Sequence, residues 1–357
     1  MKLGTDLRNT VLQSGVAFGL LALAFVGCQD GPQDPTGSDG SVLSALDSAQ
    51  HWSDHIVADP TDPTRYVDRA AWHLRNGRIA EGLLDLNLAI EADSTHAPAW
   101  SAKADALYLT QAFEPCIEHL NACLDVAPDH IPCLLRRAEM HIHLRQYPEA
   151  FDKLNAVLRQ APLNHEAYWM KGMIYRDQGN AENAKSSFQT AVEVNPNFFD
   201  GFIALGLAYA ADMDTLAIGF FQTAKDLRPQ SVEARYNLAY FLQEHKPTQR
   251  RFLDRARREY QGIVQLDPSN AAASFNQGYI HLEYLQAYDS AVHHFSNAID
   301  ALPYYHQAFF NRGLAFESLN RLEDAELDYR EALQFQPDYT AAALALQRVL
   351  QQRNASN

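Results

Sequence analysis

Residues 165–198 contain the pattern that most constrains the fold of this chain. Apolar residues recur at helical spacing until Gly179 interrupts them, and a second helical run continues until Pro196, which cannot donate a backbone hydrogen bond. Small residues such as Gly172 and Ala184 would let the two helices approach closely around aromatic side chains. One helix pair cannot bury both of its faces, so it needs neighbours of the same kind.

The same pattern recurs eight times along residues 63–339, with a period close to 34 residues. The copies begin at Pro63, Ala97, Ile131, His165, Phe199, Val232, Ala271 and His306. This helix–turn–helix period resembles the tetratricopeptide repeat. The resemblance implies an all-α fold, in which helix pairs stack into a right-handed superhelical α-solenoid without a central core. We expect a covering helix over residues 42–62, and a capping helix with a short tail over residues 340–357.

Residues 1–27 predict an export signal. The apolar run of residues 15–27 is about 13 residues long, too short to span a bilayer and typical of a signal-peptide core. The four residues that end at Cys28 resemble the lipobox of bacterial lipoproteins, although Phe25 stands where leucine is usual. The resemblance implies that Cys28 is lipidated. The alternative is an ordinary signal peptide that is cut after Ala24.

Residues 28–41 are rich in glycine, proline, aspartate and serine and predict a flexible tether, which would reach on the order of 20 Å. The plan of lipobox, tether and repeat array is similar to that of NlpI-type and PilF-type repeat lipoproteins. This resemblance implies an exported protein in the cell envelope, held in a membrane by its lipid. Gln29 favours the outer membrane, by resemblance to enterobacterial sorting, with the array facing the periplasm or the cell surface.

The charge and motif content exclude several functions. The formal net charge of −15 argues against nucleic acid as a partner, because phosphate binding needs clustered lysine and arginine. The chain has no metalloprotease, serine-hydrolase or P-loop motif. We therefore predict a protein that is not an enzyme and needs no cofactor.

Resemblance to tetratricopeptide arrays implies a partner-binding groove along the first helices of the repeats. From the fourth repeat onward the outward side chains of these helices are apolar and aromatic. The residues that we predict to line this groove are Trp169, Met173, Ile203, Leu207, Tyr236, Tyr240, Phe275, Tyr279 and Phe310. Contiguous apolar surface usually marks a partner site. The alternative is that these side chains fill the packing between repeats.

Asn237, Asn276 and Asn311 occupy equivalent positions in three successive repeats. In some tetratricopeptide superhelices such a ladder binds the backbone of an extended peptide, since an amide both donates and accepts hydrogen bonds. Asparagine is also common at this position of the repeat, so a structural role stays open. The predicted groove lacks the lysines that bind chaperone C-termini in related repeats. This disfavours chaperone C-termini as partners.

Residues 246–258 are basic in an otherwise acidic chain. Arg250, Arg251, Arg255 and Arg258 predict a secondary basic patch that could meet lipid phosphates or an acidic partner. The alternative is a solvated helix face whose arginines pair with neighbouring carboxylates.

The cysteines and histidines give weaker predictions. We expect Cys116, Cys123 and Cys133 to be buried thiols, with a bridge between Cys123 and Cys133 as the alternative. His51 and His55 share a helix face, but they lack enough further ligands to predict a metal site. His73, His141 and His281 recur at an inward position and are expected to replace a core aromatic residue.

These observations predict an envelope-anchored scaffold that binds an extended or helical segment of a partner protein in its groove. The alternative is a structural subunit of a larger complex, or a homo-oligomer, that uses the convex face and the ends of the array.

Overall fold

A computed structural model describes residues 43–245, 247 and 249–356. Cys28, the predicted signal peptide and the tether lie outside this range. The chain divides into two compact units, residues 1–54 and 55–357. The first helix, α1, spans Leu43–Ala58 and includes the boundary between the units.

Eight helix pairs follow α1, and each pair corresponds to one predicted repeat. The pairs are α2 (Pro63–Arg75) with α3 (Ile79–Ala92), α4 (Ala97–Leu109) with α5 (Phe113–Val126), α6 (Ile131–His143) with α7 (Tyr147–Gln160), α8 (His165–Asp177) with α9 (Ala181–Val194), α10 (Phe199–Ala211) with α11 (Leu216–Leu227), α12 (Val232–His245) with α13 (Arg250–Leu266), α14 (Ala271–Tyr279) with α15 (Tyr288–Ala301), and α16 (His306–Ser318) with α17 (Leu322–Phe335). The predicted all-α architecture is confirmed.

Each second helix packs against its own first helix and against the first helix of the next repeat. The first helices of neighbouring repeats contact each other, as in repeats 1 and 2 and in repeats 5 and 6. The second helices of neighbouring repeats make no comparable contact. First helices therefore form the tighter, concave side of the array, and second helices form the convex side.

The turn inside a repeat needs one residue in the left-handed backbone conformation. Gly77 and Gly179 adopt it with φ of 74°, at no steric cost. Five repeats place a residue with a side chain there instead. These residues are Gln111, Arg145, Met213, Gln286 and Asn320, with φ between 52° and 59°.

Repeats 6 and 7 depart from the regular pattern. The second helix of repeat 6, α13, has 17 residues, whereas the second helices of most repeats have 14. In repeat 7 the first helix continues into a π-helical segment, Ile280–Tyr284. This segment accommodates one extra residue, and such insertions are frequent at functional sites.

A disulfide joins Cys123 on α5 to Cys133 on α6, with their Cα atoms 6.5 Å apart. The expectation of free thiols at these two positions was therefore wrong. The turn between repeats 2 and 3 brings the end of one helix against the start of the next, within bridging distance. Cys116 is a buried free thiol, as expected.

The helix α18, Thr340–Ser356, caps the C-terminal end of the array. It packs on α17 through the buried Ala342, Ala345 and Val349. Arg348 donates two hydrogen bonds of 2.6 Å to the carboxylate of Glu317 in the last repeat. No helix in the described part of the chain combines the length and apolarity needed to cross a membrane.

Candidate functional site

The predicted groove residues divide into a buried set and an accessible set. Trp169, Ile203, Phe275 and Phe310 are buried. Leu207 is 43% exposed. The other members, Met173, Tyr236, Asn237, Tyr240 and Tyr279, are half-buried. The binding role of the whole set stays a prediction, and only the second set offers surface to a partner in this conformation.

Aromatic residues from the turns between repeats cover three of the buried side chains. The ring of Phe198 lies 6.0 Å from that of Trp169. Tyr305 stacks on Phe275 with ring centroids 5.0 Å apart. The ring of Tyr339 lies 5.0 Å from that of Phe310, tilted by 59°. In repeats 4, 7 and 8 these side chains therefore fill the junction with the next helix, which was the alternative interpretation.

Three tyrosines form the accessible aromatic surface of repeats 6 and 7. Tyr236 and Tyr240 stack on α12 with ring centroids 6.2 Å apart. Tyr279 is the equivalent of Tyr240 in the next repeat. Burial, followed by the charge of Glu244, raises the pKa of Tyr240 to about 12, so its hydroxyl stays a neutral hydrogen-bonding group.

The predicted asparagine ladder is partly engaged within the protein. Asn276 donates to the backbone oxygen of Ala272 at 2.9 Å and to the hydroxyl of Tyr236 at 3.3 Å. Asn311 donates to the backbone oxygen of Gln307 at 2.7 Å. Asn276 and Asn311 are both buried. These bonds give the two amides a structural role, and a role in peptide binding stays a prediction.

A row of carboxylates that the sequence analysis did not single out accompanies the accessible apolar residues. Glu166, Asp200 and Glu233 are the second residues of α8, α10 and α12. Each is followed seven positions later by an apolar side chain on the same helix face, since seven residues make nearly two turns. The pairs are Glu166 with Met173, Asp200 with Leu207 and Glu233 with Tyr240. The signal was visible in the sequence, as an acid at one fixed position of three successive repeats.

Asp200 and Glu233 are exposed carboxylates, and the charge of Arg228 acts on both. Burial raises the pKa of Asp200, against the opposing charge of Arg228. Burial, and then the negative charge of Asp200, raises the pKa of Glu233. Arg228 already opposes the repulsion between these two carboxylates, and a further cation from a partner would oppose it more.

The first helices of repeats 2 and 3 carry a polar network in place of apolar surface. The guanidinium of Arg136 donates to Asp105 at 2.8 Å, pairs with Glu139, and lies over the ring of Tyr108. Tyr108 donates to Glu139 at 3.1 Å. Because its members satisfy one another, this network offers a partner less than the surface of repeats 4–6 does.

Two arginines of the predicted basic patch have partners within the protein. Arg250 pairs with Asp254 at 3.4 Å, and Arg255 donates to Gln222 at 2.7 Å. Arg251 and Arg258 are exposed, and Arg251 lies over the ring of Phe252. A contact of this patch with lipid or an acidic partner stays a prediction.

Among the described residues, Cys123, His130 and Cys133 have the spacing of metal ligands, with ligand atoms within 4.8 Å of one another. The two sulfur atoms are joined in the disulfide, so no thiolate is present to bind a metal. His130 Nδ1 lies 3.2 Å from the sulfur of Cys133.

Residues 165–198 and 306–339 each match the tetratricopeptide repeat family. These are repeats 4 and 8. The APC/C hetero-tetramer Cut9–Hcn1 is a solved structure that superposes with a TM-score of 0.50, at 15% identity, over 85% of this chain and 59% of that chain. The fold is a tetratricopeptide-repeat solenoid.

Three curated relatives match the chain at low identity. Anaphase-promoting complex subunit 3 of Schizosaccharomyces pombe is 23% identical over 233 residues, 64% of this chain and 33% of that protein. DnaJ homolog subfamily C member 7 of Homo sapiens is 24% identical over 311 residues, 83% of this chain and 57% of that protein. Hsp70-Hsp90 organizing protein 2 of Arabidopsis thaliana is 29% identical over 84 residues, 24% of this chain and 15% of that protein. The chain thus spans between 15% and 57% of the length of these relatives.

Proposed function

We propose that this protein is a non-enzymatic scaffold of the cell envelope that binds a partner protein in the concave groove of repeats 4–6. The names of two relatives, a subunit of the anaphase-promoting complex and an Hsp70-Hsp90 organizing protein, support protein binding as the general role. The predicted lipobox at Cys28 supports envelope anchoring. The Cys123–Cys133 disulfide is in keeping with an oxidising compartment.

The observation that carries the binding mode is the pairing of an acid with an apolar side chain on three successive first helices. Leu207 is 43% exposed two helical turns from Asp200, and partial burial raises the pKa values of Asp200 and Glu233. A segment with alternating basic and apolar side chains would bury its apolar groups and lower both pKa values. We therefore infer a cationic, apolar partner segment, bound in extended or helical form.

The test compares capture of envelope proteins by the full-length wild type and by the double variant Asp200→Lys/Leu207→Ser. The matched control is Glu182→Lys/Leu327→Ser, which changes residues on second helices. Glu182 is also a first-turn acid, so its loss has the same effect on the helix dipole. Leu327 is 59% exposed.

We expect the wild type and the control to capture a common partner that the groove variant loses and that high salt releases. Equal capture by all three proteins would exclude this groove as the binding site. The partner segment should then be mapped by cross-linking from position 207, and it should be rich in lysine and arginine.

A further inference from the structure

The convex side of the array contains a pocket of about 370 Å³ between repeats 6 and 7. The second helices α13 and α15 form its walls, and α14 forms its floor. Arg257, Gln261, His294 and Asn297 present hydrogen-bond donors to it, and the buried Gln277 lies at its base. Among the described residues that line this pocket, none carries a carboxylate.

The equivalent pocket between repeats 2 and 3 has the same volume, about 370 Å³, and its lining combines three carboxylates with Arg137 and Lys153. Asp125, Glu149 and Asp152 line it. Asp125 is the penultimate residue of α5, as Gln265 is of α13. Asp152 is the sixth residue of α7, as His293 is of α15. The solenoid therefore provides the same groove twice, once with carboxylates and once with neutral or basic donors in their places.

Two buried groups beside the pocket of repeats 6 and 7 have unmet hydrogen-bonding capacity. His281 is 6% exposed, and neither of its ring nitrogens has a hydrogen-bond partner. The Nε atom of Arg257 is also buried without a partner. In the other pocket, the equivalent His141 bonds through Nδ1 to Gln146 at 2.8 Å, and one unpartnered buried atom remains, Nη1 of Arg137. Buried polar atoms without partners usually indicate an unrecorded water, ion or ligand.

Of two neighbouring histidines, His294 lines the pocket and the buried His281 lies behind it. His281 belongs to the π-helical segment and stacks on His294 with ring centroids 5.1 Å apart. Burial, and then the positive charges of His281, His293 and Arg257, lowers the pKa of His294 to about 4. The one neighbouring carboxylate that contacts Arg257 is Asp254, 3.5 Å from Nη1, and this contact leaves Nε uncompensated. Among the described residues that line the pocket, Arg257 is therefore a cation accompanied by no carboxylate.

We propose that the groove between repeats 6 and 7 binds a compact oxyanion of the phosphate type. Arg257 would donate from its guanidinium, as arginine commonly does to phosphate. His294, Asn297 and Gln261 would supply neutral N–H donors around the remaining oxygens. The volume lies in the range of small-molecule sites, so a phosphate group borne by a larger molecule would also fit. This site lies on the opposite side from the partner groove and does not depend on it.

The direct test is calorimetric titration of the full-length protein with inorganic phosphate and, separately, with glycerol 3-phosphate. Equal affinity for both would show that the site reads only the phosphate group, and tighter binding of the ester would point to a phosphorylated molecule as ligand. Gln265→Glu restores the carboxylate of the other pocket, and Arg257→Gln removes the main donor. Arg257→Gln should weaken binding at least about tenfold, because a hydrogen bond to a charged group is worth that much. Gln265→Glu should weaken it by a similar factor, because its carboxylate repels the anion.

Arg137→Gln, in the pocket of repeats 2 and 3, is the matched control and should bind phosphate as the wild type does. An independent readout is the ring nitrogen resonances of His294, whose pKa should rise by about one unit or more when phosphate is bound. No binding by the wild type, or equal weakening by Arg137→Gln and Gln265→Glu, would overturn the proposal. Since Gln265→Glu changes an exposed position, loss of folding would not explain its effect.

Discussion

A Cβ atom placed on Gly172 would lie 2.5 Å from Cε1 of Phe188, closer than two carbon atoms can pack. The missing side chain on α8 therefore makes room for the ring on α9. Repeats 5, 7 and 8 repeat this arrangement, with the pairs Gly206–Phe221, Gly278–Phe295 and Gly313–Tyr329. Repeats 1 and 2 have alanine with leucine at the same positions, in the pairs Ala70–Leu86 and Ala104–Leu120, and all four residues are buried.

This size complementarity predicts a coupled pair of substitutions. Gly172→Ala should lower the free energy of unfolding by about 1–3 kcal/mol through overpacking. Phe188→Leu alone should also destabilise, because it leaves a cavity. The double variant recreates the alanine–leucine pair and should be more stable than the sum of the single effects predicts. Urea unfolding of the four proteins measures this coupling, and strict additivity would contradict it.

The disulfide predicts a specific response to reductants. Unreduced protein, once unfolded, should show one reactive thiol among Cys116, Cys123 and Cys133, whereas free thiols throughout would give three. Reduction should lower the free energy of unfolding by about 2–4 kcal/mol, because it frees a loop that the bond closes. The double variant Cys123→Ala/Cys133→Ala is the control, and its stability should not change when a dithiol reductant is added.

The repeat register could be predicted from the sequence because small and aromatic residues mark every helix pair. The solvent accessibility of the predicted groove residues could not be predicted in this way. Trp169 and Phe275 show the period expected of surface anchors, but Phe198 and Tyr305, which cover them, come from turns between repeats. Periodicity within a helix does not show whether a turn residue covers a side chain, because that contact depends on the angle between successive repeats. Ile203, the equivalent of Trp169, is buried even though its turn residue is Ser231, while Leu207 one turn further along the helix is 43% exposed.

The sequence pattern also could not predict the environment of His281. Its inward position was expected, and its burial fits a residue in the place of an aromatic. The π-helical segment and the absence of a partner for its ring nitrogens follow from one extra residue in repeat 7 and from the neighbouring α13 and α15. Neither neighbour can be inferred from the spacing within one helix.

Acid sensitivity follows from the pKa values of two histidines. Burial and the charges of Arg257 and Arg250 lower the pKa of His281 to about 4, and His294 is lowered to the same range. Between pH 6.5 and about 4 the unfolded chain binds more protons than the folded one, so stability should fall as the pH falls through this window. His281→Phe should flatten the dependence of urea midpoint on pH. An unchanged slope would contradict this origin.

The last repeat contains a buried ion pair. Replacing only its arginine should destabilise the protein more than replacing both members. The guanidinium of Arg312 donates two hydrogen bonds of 2.8 Å to the carboxylate of Asp328, which is 4% exposed. Arg312→Gln would leave a buried charge without a partner and should cost about 3 kcal/mol or more. In the Arg312→Gln background, Asp328→Asn should restore part of the loss, because it removes that charge.

The exposed pair of Arg321 and Asp324, also 2.8 Å apart in the same repeat, is the control for this prediction. Arg321→Gln should change the free energy of unfolding by less than about 1 kcal/mol, because water screens the charges. Burial raises the pKa of Asp328 even with Arg312 in place. The folded state of Arg312→Gln should therefore take up a proton more readily, and its stability should fall as the pH rises above the unfolded value near 3.9. Urea unfolding at pH 5 and pH 7 measures this, and an equal deficit at both values would show that lost packing, rather than the buried charge, accounts for the effect.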